Sequence, residues 1–420
     1  MEYCVSHRAK VQFVLSMKPI YLYVCPFFPS AESWRGGFFL DAVEALVRDG
    51  RYEVKVLVGQ PGADYVVNGI KVARFSPVKI GCSDCFHVFT DFVKIWQFAR
   101  KLKTLGVDIK DVAVCHVHLL EKYAIYGEWL KKKNPNSFVM VHHHLTGAYP
   151  LCTGWQAKIP YYRELEFIML RRAYESVDSH VFCSNATMSA YGKYYTDGVI
   201  GPCHNIRDTL CHPWRFRDMK CPLPHVEYNG VNHRVFNDDR DGQQRDVFVV
   251  GCVANFLPTK SQITLLEAYA KVQKSMPRSK IIFVGSGVSL GSCRLFVKEM
   301  QIESRVEFKV EMPHDEMPWF YRSLDLYVLP SYSEAFNCSL IEAWACGVPC
   351  ITTDAISFKE VLPKSEWDKW LFPPRDADSL ANRLLWAYKT RPRKQLLSKD
   401  LDIDSIARGF LDWVESQRQI

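Results

Sequence analysis

The sequence lacks any apolar run long enough to cross a bilayer. A run such as IYLYVCPFF at 20–28 is well short of the roughly 20 residues that a membrane-spanning helix needs. Internal repeats, low-complexity tracts and a strong charge of one sign are missing too, since the net charge is +7 over 420 residues. We therefore expect no membrane-spanning helix, and no nucleic acid as a partner.

Regular cysteine spacing is also missing. Fifteen cysteines, an odd number, are scattered along the chain, and the one CxxC, at Cys82 and Cys85, has no second pair at zinc-ribbon spacing. Reduced thiols in a cytoplasmic protein are therefore expected. No secretion signal is recognisable, and residues 1–16 are expected to form a poorly ordered extension, with Met17 as an alternative start.

Alternating strands and helices fill the rest of the chain. Apolar runs such as 20–26 and 112–118 predict strands buried on both faces of a parallel sheet, and a second alternating series begins at Val247 after a stretch rich in Pro, Asn and His. The fold class is therefore predicted as α/β, with two Rossmann-like, doubly wound parallel-sheet domains facing across a cleft. The predicted parts are the extension 1–16, an N-terminal domain 17–225, a C-terminal domain 226–400, and a C-terminal helix 401–420 that returns to the N-terminal domain.

The stretch SEAFNCSLIEAWACGVP at 333–349 carries two carboxylates eight positions apart. Glu334 is predicted in a loop after a strand, Asn337 caps a helix over about Cys338–Ala345, and Gly347 follows its end. Glu342 then lies on the helix. Carboxylates accept hydrogen bonds from hydroxyl groups and the free N–H groups of a helix start attract phosphate, a combination that suits a nucleotide sugar. The spacing of the two glutamates alone fits a second interpretation equally well, in which Glu334 is a solvated charge in a loop and Glu342 is an exposed helix residue.

Further motifs follow in order along the chain. They are FFPSAESWRGGFFLDAVEAL (27–46), VCHVHL (114–119), VHHHLTG (141–147), VDSHVFCSN (177–185), YNGVNHRVF (228–236), VGCVANFLPTKSQITLLEAYAKV (250–272), FVGSG (283–287), PSYSE (330–334) and EAFNCSLIEAWACGVPCI (334–351). Together they resemble glycosyltransferase family 4, the retaining enzymes of the GT-B fold. The resemblance extends from about Ile20 to the C-terminal helices.

The resemblance implies a role for each matching residue. In the catalytic set, Glu334 holds hydroxyls of the donor sugar, Lys260 neutralises the diphosphate, and His118 faces the reaction centre. The donor-binding set is Glu342 at the ribose together with Asn255, Gly36, Gly37, Gly285, Phe336, Asn337, Cys338 and Ser339. The acceptor-side candidates are His143 and His144. The N-terminal domain would carry the acceptor and the C-terminal domain the donor.

Three positions depart from the family pattern. The usual arginine of the loop before Lys260 is Asn255, which donates hydrogen bonds but brings no charge. Ser261 and Val310 replace usual glycines. Part of the diphosphate neutralisation is therefore missing or comes from elsewhere.

Histidines end two of the predicted strands. Residues two apart on a strand face the same way, so His116, His118 and the run 142–144 allow a metal cluster. However, no carboxylate or thiol stands at a clear spacing, no DxD-type pair is present, and the resembled family needs no metal. We therefore expect no metal and no cofactor, with the nucleotide sugar as a substrate.

The segment DFVKIWQFARKLKTL at 91–105 has helical spacing. Its apolar positions are Phe92, Ile95, Trp96, Ala99 and Leu102, and most of its basic residues lie elsewhere. Packing of that face against the core is favoured. A helix lying on the inner face of a membrane is the alternative, which would make a cytoplasmic protein peripheral.

The expected activity is that of a retaining glycosyltransferase. A hexose-type sugar would pass from a nucleoside diphosphate, with UDP the expected nucleotide, to a hydroxyl of a glycan or lipid-linked acceptor in cell-surface polysaccharide or glycoconjugate synthesis. The alternatives are a nucleotide-sugar epimerase on the same fold and a non-catalytic partner that binds glycan or nucleotide.

Overall fold

The structure is a computed structural model of the 420-residue chain. It describes residues 18–31, 33, 36–75, 87–118, 123–144, 162–195, 221–239, 246–355 and 357–419. The predicted extension at 1–16 and the pair Cys82 and Cys85 lie outside these ranges. Nine cysteines lie inside them, and all nine are free thiols. None of the helices in these ranges is both long and apolar enough to cross a bilayer.

The N-terminal half forms an eight-stranded sheet with helices on both faces. The strands are β1 (Ile20–Cys25), β2 (Glu53–Val58), β3 (Tyr65–Val67), β4 (Ile70–Arg74), β5 (Val112–His118), β6 (Phe138–His143), β7 (Ser179–Phe182) and β8 (Pro224–Val226). Their order is β3-β4-β2-β1-β5-β6-β7-β8, and β3 pairs antiparallel to β4 while the other neighbours are parallel. The helices are α1 (Gly37–Asp49), α2 (His87–Thr104), α3 (Ala124–Lys133), α4 (Tyr162–Glu175) and α5 (Asn185–Tyr195).

The C-terminal half forms a second sheet, with six parallel strands in the order β11-β10-β9-β12-β13-β14. They are β9 (Phe248–Val253), β10 (Ser279–Val284), β11 (Val306–Lys309), β12 (Leu326–Leu329), β13 (Cys350–Thr353) and β14 (Leu371–Phe372). The helices are α6 (Gln262–Val272), α7 (Leu290–Glu299), α8 (Met317–Arg322), α9 (Cys338–Ala345), α10 (Trp367–Trp370) and α11 (Ala377–Thr390). The prediction of two parallel-sheet α/β domains is confirmed.

Strand burial explains the sequence pattern. Every residue of β1 and of β5 is buried, because helices cover both faces of the sheet at its centre. One face packs on α2, α3 and α4, and the other packs on α1. Continuous apolar runs, rather than alternation, are the pattern that such strands require.

The last helix, α12 (Ile403–Arg418), belongs to the N-terminal half in space. It packs beside α1, and its buried Phe410 and Leu411 join the same core as Tyr21 on β1. Ion pairs fasten it further: Arg48 on α1 reaches Asp404 at 2.6 Å, and Arg51 reaches Asp412 at 2.6 Å. The chain thus crosses from the C-terminal sheet back to the N-terminal one.

The buried face of α2 agrees with the predicted one only in part. Of the predicted apolar positions, Leu102 is buried and Ile95 packs against the core, but Phe92 is 72% exposed and Trp96 is 57% exposed. Phe98, which was not predicted, is buried. The buried stripe also contains Asp91 and Lys94, which lie 3.1 Å apart and neutralise each other. The prediction that Phe92 and Trp96 face the core was wrong, because this ion pair lets polar residues occupy the inner face.

Candidate functional site

The stretch at 333–349 folds as its residues predicted. Glu334 is buried in the loop between β12 and α9. Asn337 has extended backbone angles, and its side chain accepts a hydrogen bond from the Leu340 N–H at 3.0 Å, which caps α9. Gly347 follows the helix with a φ of +84°, and a Cβ there would lie 2.0 Å from a carboxylate oxygen of Asp238. The predicted cap, helix and terminating glycine are therefore confirmed.

Lys260 and Glu334 lie side by side. Lys260 ends a short helical turn between β9 and α6, and its Nζ lies 2.5 Å from Glu334 Oε1. The two loops are also joined by their backbones, since the Tyr332 N–H donates to the Thr259 carbonyl at 3.0 Å. The side chains are 19% and 8% exposed, so the charges neutralise each other at the edge of solvent. Residues 74 positions apart in sequence thus form one charged pair.

Glu342 lies one turn into α9 and is largely enclosed by protein. The Tyr321 hydroxyl donates to its Oε2 at 2.8 Å. Burial raises the pKa of this carboxyl to about 7, although the Tyr321 hydrogen bond opposes the shift and the nearby Asp41 adds to it. A carboxyl poised near neutrality changes its capacity to accept hydrogen bonds within the physiological pH range.

The first turn of α9 is anchored to the sheet. The Ser339 hydroxyl donates to the Val253 carbonyl at 2.8 Å and lies 2.6 Å from the Tyr327 hydroxyl. The Ser339 side chain is thus engaged within the protein, and its contact with a phosphate stays a prediction. The Leu340 N–H is taken by the cap. Phe336, which precedes the cap, is buried.

The loops after β9 and β10 meet through their backbones. Gly285 has a φ of +141°, and a Cβ there would lie 2.2 Å from the Ala254 carbonyl oxygen. The neighbouring Phe256 N–H donates to the Ser286 carbonyl at 2.8 Å. Asn255 is exposed between them. Gly285 is therefore required for close backbone packing, while its contact with a nucleotide stays a prediction.

The paired glycines begin α1 at the boundary with the C-terminal half. Gly36 has a φ of +91° and precedes the helix. A Cβ on Gly37 would lie 3.2 Å from the imidazole of His314, which belongs to the C-terminal half. One turn later, Asp41 accepts a hydrogen bond from the Asn232 side chain at 2.8 Å, and burial raises its pKa to about 6. The two halves therefore come together at the start of α1.

The predicted histidines separate onto two faces of the N-terminal sheet. His118 is 3% exposed, and its Nδ1 lies 3.1 Å from His144 Nε2 on the face covered by α1 and α12. His143 points to the opposite face, where its Nε2 lies 2.9 Å from His180 Nδ1 and its ring stacks on Phe182. The structure thus brings His118 and His144 together and places His143 apart from both. Burial lowers the pKa of each of these imidazoles, that of His144 to about 3.

Three polar residues near these groups were missed by the sequence analysis. Asp41 and Tyr321 are the groups beside Glu342 that affect its pKa. The Arg375 guanidinium lies 4.2 Å from the ring centre of Tyr332, in the loop that carries Glu334. Arg375 thus places a cation beside this loop, whereas Asn255 brings none. No motif marked these residues, because each approaches through tertiary packing.

Comparisons with known proteins agree with this architecture. Residues 236–401, less than half of the chain, match the family model of glycosyl transferases group 1. An uncharacterised glycosyltransferase of Methanocaldococcus jannaschii is 23% identical over 80% of this chain and 80% of its own length. Sucrose-phosphate synthase from Thermosynechococcus elongatus has a similar structure, with a TM-score of 0.68 and 18% identity over 95% of this chain and 99% of that one.

A further solved structure is similar over nearly the whole chain. It is HepE of Anabaena in complex with UDP and glucose, with a TM-score of 0.63 and 16% identity over 94% of this chain and 99% of that one. At these identities the structures establish the fold, which is GT-B, with its two Rossmann-like domains. The family model and the relative add support for the activity. Together, these findings support a glycosyltransferase of the GT-B fold.

Proposed function

We propose that the protein is a retaining hexosyltransferase that uses a nucleoside diphosphate sugar, with UDP as the nucleotide. The observation that carries the proposal is the Lys260–Glu334 pair, which lies in the loops leading to α6 and α9. A cation, a carboxylate and a helix N-terminus side by side match the diphosphate and the hydroxyls of such a donor. The solved HepE complex with UDP and glucose supports UDP as the nucleotide.

In the proposed site, the donor lies on the C-terminal domain. The diphosphate would approach Lys260 and the backbone N–H groups of Cys338 and Ser339. Glu334 would accept hydrogen bonds from sugar hydroxyls once the diphosphate engages the lysine. Glu342 would accept hydrogen bonds from the ribose through its carboxylate, with Tyr321 holding the other oxygen at 2.8 Å.

The chemistry follows from where charge develops. As the bond between the anomeric carbon and the diphosphate breaks, the sugar becomes oxocarbenium-like and the departing oxygen gains negative charge. Lys260 and the start of α9 would stabilise that charge, and Glu334 would keep the sugar in place. The acceptor hydroxyl would attack from the face that the diphosphate leaves, give its proton to a phosphate oxygen, and so retain the anomeric configuration. No step in this scheme needs a metal.

The acceptor would approach from the N-terminal domain, near the start of α1. Gly37 faces His314 there, so a side chain at Gly37 would narrow the space between the domains. His118 and His144 lie behind this point in the sheet, where His118 is buried and His144 is partly buried. A glycan or a lipid-linked sugar is the proposed acceptor class, in the synthesis of a cell-surface polysaccharide or glycoconjugate.

The test is a donor panel with a matched pair of variants. The protein is incubated with UDP-, GDP-, ADP- and TDP-linked hexoses, with and without an acceptor extract, and released nucleotide is measured. We expect turnover with one UDP-sugar, stimulated by the acceptor, and a product whose NMR spectrum shows the donor's anomeric configuration. Lys260→Ala should lower turnover at least about tenfold, whereas Lys271→Ala, which removes an exposed ion pair on α6, should not.

Three outcomes would contradict the proposal. Folded protein that turns over no donor points to a non-catalytic binding partner. An altered nucleotide sugar released without acceptor points to an epimerase. An inverted product rules out the retaining mechanism while leaving glycosyl transfer intact.

A further inference from the structure

Four histidines form an array on one face of the N-terminal sheet. His118 and His142 are register partners on the neighbouring strands β5 and β6, while His116 and His144 lie two residues away from them on the same face. His116 Nε2 lies 3.2 Å from His142 Nδ1, and His118 Nδ1 lies 3.1 Å from His144 Nε2. One ring nitrogen from each of His116, His118 and His142 can be chosen so that all three lie within 4.8 Å of one another.

Hydrogen bonding within the protein satisfies both nitrogens of His116 but only one nitrogen of each of the other three rings. Within the part of the chain that the structure describes, His118 Nε2, His142 Nε2 and His144 Nδ1 are buried and have no hydrogen-bond partner. Each buried polar atom left without a partner is unfavourable. Imidazole nitrogens are among the commonest protein ligands of transition-metal ions.

We propose that His116, His118 and His142 bind a divalent transition-metal ion, with Zn²⁺ as the preferred occupant. Two imidazole nitrogens on a tetrahedral zinc ion, each at about 2.0–2.1 Å from the metal, lie about 3.3 Å apart. The 3.2 Å between His116 Nε2 and His142 Nδ1 matches that separation. His144 is outside this group of three; it lies beside His118 and would supply the fourth nitrogen ligand of a structural zinc site after a small movement of its ring.

Neighbouring groups fit the surroundings of such an ion. The Tyr21 hydroxyl lies 2.6 Å from His116 Nδ1, so it orients that ring and directs Nε2 towards the other histidines. The same residues line a small cavity of about 70 Å³, which also contains Glu227. The Glu227 carboxyl group lies 3.1 Å from His225 Nε2 at the edge of this cavity.

The proposed ion has a structural role, which replaces the role at the reaction centre that the family resemblance implied for His118. It would tie the carboxyl ends of β5 and β6 together, behind the start of α1. Because the donor groups Lys260, Glu334 and Glu342 lie on the other domain, the site does not depend on the proposed function. Its test can therefore be read without any assay of activity.

The test measures metal content and a metal spectrum. The full chain is produced without a polyhistidine tag, purified without chelator, and analysed by inductively coupled plasma mass spectrometry. We expect about one zinc ion per chain, a lower Tm after removal of the metal by a chelator, and recovery of Tm when Zn²⁺ is returned. Co²⁺ added to the stripped protein should give the visible absorption of a tetrahedral site with nitrogen ligands.

Variants locate the ion. His142→Gln should weaken Zn²⁺ and Co²⁺ binding at least about tenfold, and Tyr21→Phe should weaken it by a smaller factor. His180→Gln is the matched control, because His180 is equally buried on β7 but pairs with His143 on the opposite face. The double variant Cys82→Ser, Cys85→Ser tests the other candidate ligand pair and should keep the metal.

Any of three results overturns the proposal. The first is wild-type protein that holds no zinc and gives no cobalt spectrum, which leaves the histidines as hydrogen-bonded neutral pairs. The second is full binding by folded His142→Gln. The third is loss of the metal in the double cysteine variant. If His142→Gln does not fold, the wild-type zinc content and cobalt spectrum still decide the matter.

Discussion

Replacing Lys260 separates the structural and chemical roles of the Lys260–Glu334 pair. Loss of the ammonium leaves the Glu334 carboxylate, 8% exposed, without the partner at 2.5 Å. Two unit charges about 4 Å apart near a protein surface attract by about 4 kcal/mol before desolvation is counted. Breaking a fully buried pair costs about 3–5 kcal/mol and an exposed one about 0–1 kcal/mol. Because Lys260 is 19% exposed, we expect Lys260→Met to lower the free energy of unfolding by about 2 kcal/mol.

The double variant Lys260→Met, Glu334→Gln should behave differently in the two assays. Without an uncompensated charge, the free energy of unfolding should return to within about 1 kcal/mol of wild type. Turnover should stay at least about tenfold low, or about 1.4 kcal/mol in activation free energy, because the charge that opposes the leaving diphosphate is gone. Urea denaturation and nucleotide release measure the two quantities on the same samples.

Two results would refute this reasoning. Wild-type turnover in the double variant would remove the pair from the proposed chemistry. Unchanged stability in Lys260→Met would mean that the carboxylate does not depend on the lysine. The exposed pair Lys271–Asp378 is the control, and Lys271→Met should change stability by no more than about 0.5 kcal/mol.

Three further predictions concern pH, a glycine and the missing cation. Burial raises the pKa of Glu342 to about 7, so the fraction of its carboxylate form increases between pH 6 and 8. The nucleotide affinity, measured by calorimetry, should therefore rise over that range. Glu342→Gln should remove this dependence of affinity on pH. The same raised pKa makes the free energy of unfolding depend on pH. Its stabilising contribution is complete below about pH 4.5 and decreases as the pH rises to about 7, which denaturation at a series of pH values measures. Gly347→Ala should lower the free energy of unfolding by at least about 1 kcal/mol, because the φ of residue 347 is +84° and a Cβ there would meet Asp238. Gly409→Ala on α12 is the control, since a Cβ at residue 409 has open space and the change should be neutral or stabilising. Asn255→Arg should tighten donor binding several-fold in the same calorimetric assay, because the exposed side chain has room for the cation; unchanged affinity would place the phosphates elsewhere.

Local signals predicted the elements that carry the site. The cap at Asn337 and the glycine at 347 limited α9 to its observed bounds because each encodes a specific backbone requirement. Only the family resemblance implied that Lys260 and Glu334 are close together. The structure gives the reason, since both belong to loops at the carboxyl ends of β9 and β12, which are adjacent in the sheet. Such arguments succeed where topology places residues at one edge.

Which side of a helix is buried was harder to predict than whether a segment forms a helix or a strand. The spacing of Phe92 and Trp96 fitted one helical stripe, but α2 buries a neighbouring stripe in which Asp91 and Lys94 compensate each other. The spacing of apolar residues cannot show that two charged residues will pair with each other and become buried. For His143 and His144 the sequence does contain the facing direction, because the alternation of a strand requires consecutive residues to face opposite ways.

The two crossings between the domains lie side by side. The chain first leaves the N-terminal domain after β8 and later returns to it before α12. There the Val231 N–H donates to the Leu401 carbonyl at 2.8 Å, and the Ile403 N–H donates to the Val231 carbonyl at 3.0 Å. Any change in the angle between the domains must bend both crossings at this bridge, because the covalent chain joins the domains at these two places.

Further polar contacts join the domains beside the bridge and away from it. Next to the bridge, Asn232 donates a hydrogen bond to Asp41 on α1. Away from it, the Glu360 carboxylate accepts hydrogen bonds from the N–H groups of Asn185 and Ala186 at the start of α5. These polar contacts are few and partly exposed, so each is weak compared with the two cores. Any opening of the cleft would break these hydrogen bonds while the bridge at Val231 stays intact. In the proposed function, such an opening would admit the nucleotide sugar, and the present closed arrangement would exclude water.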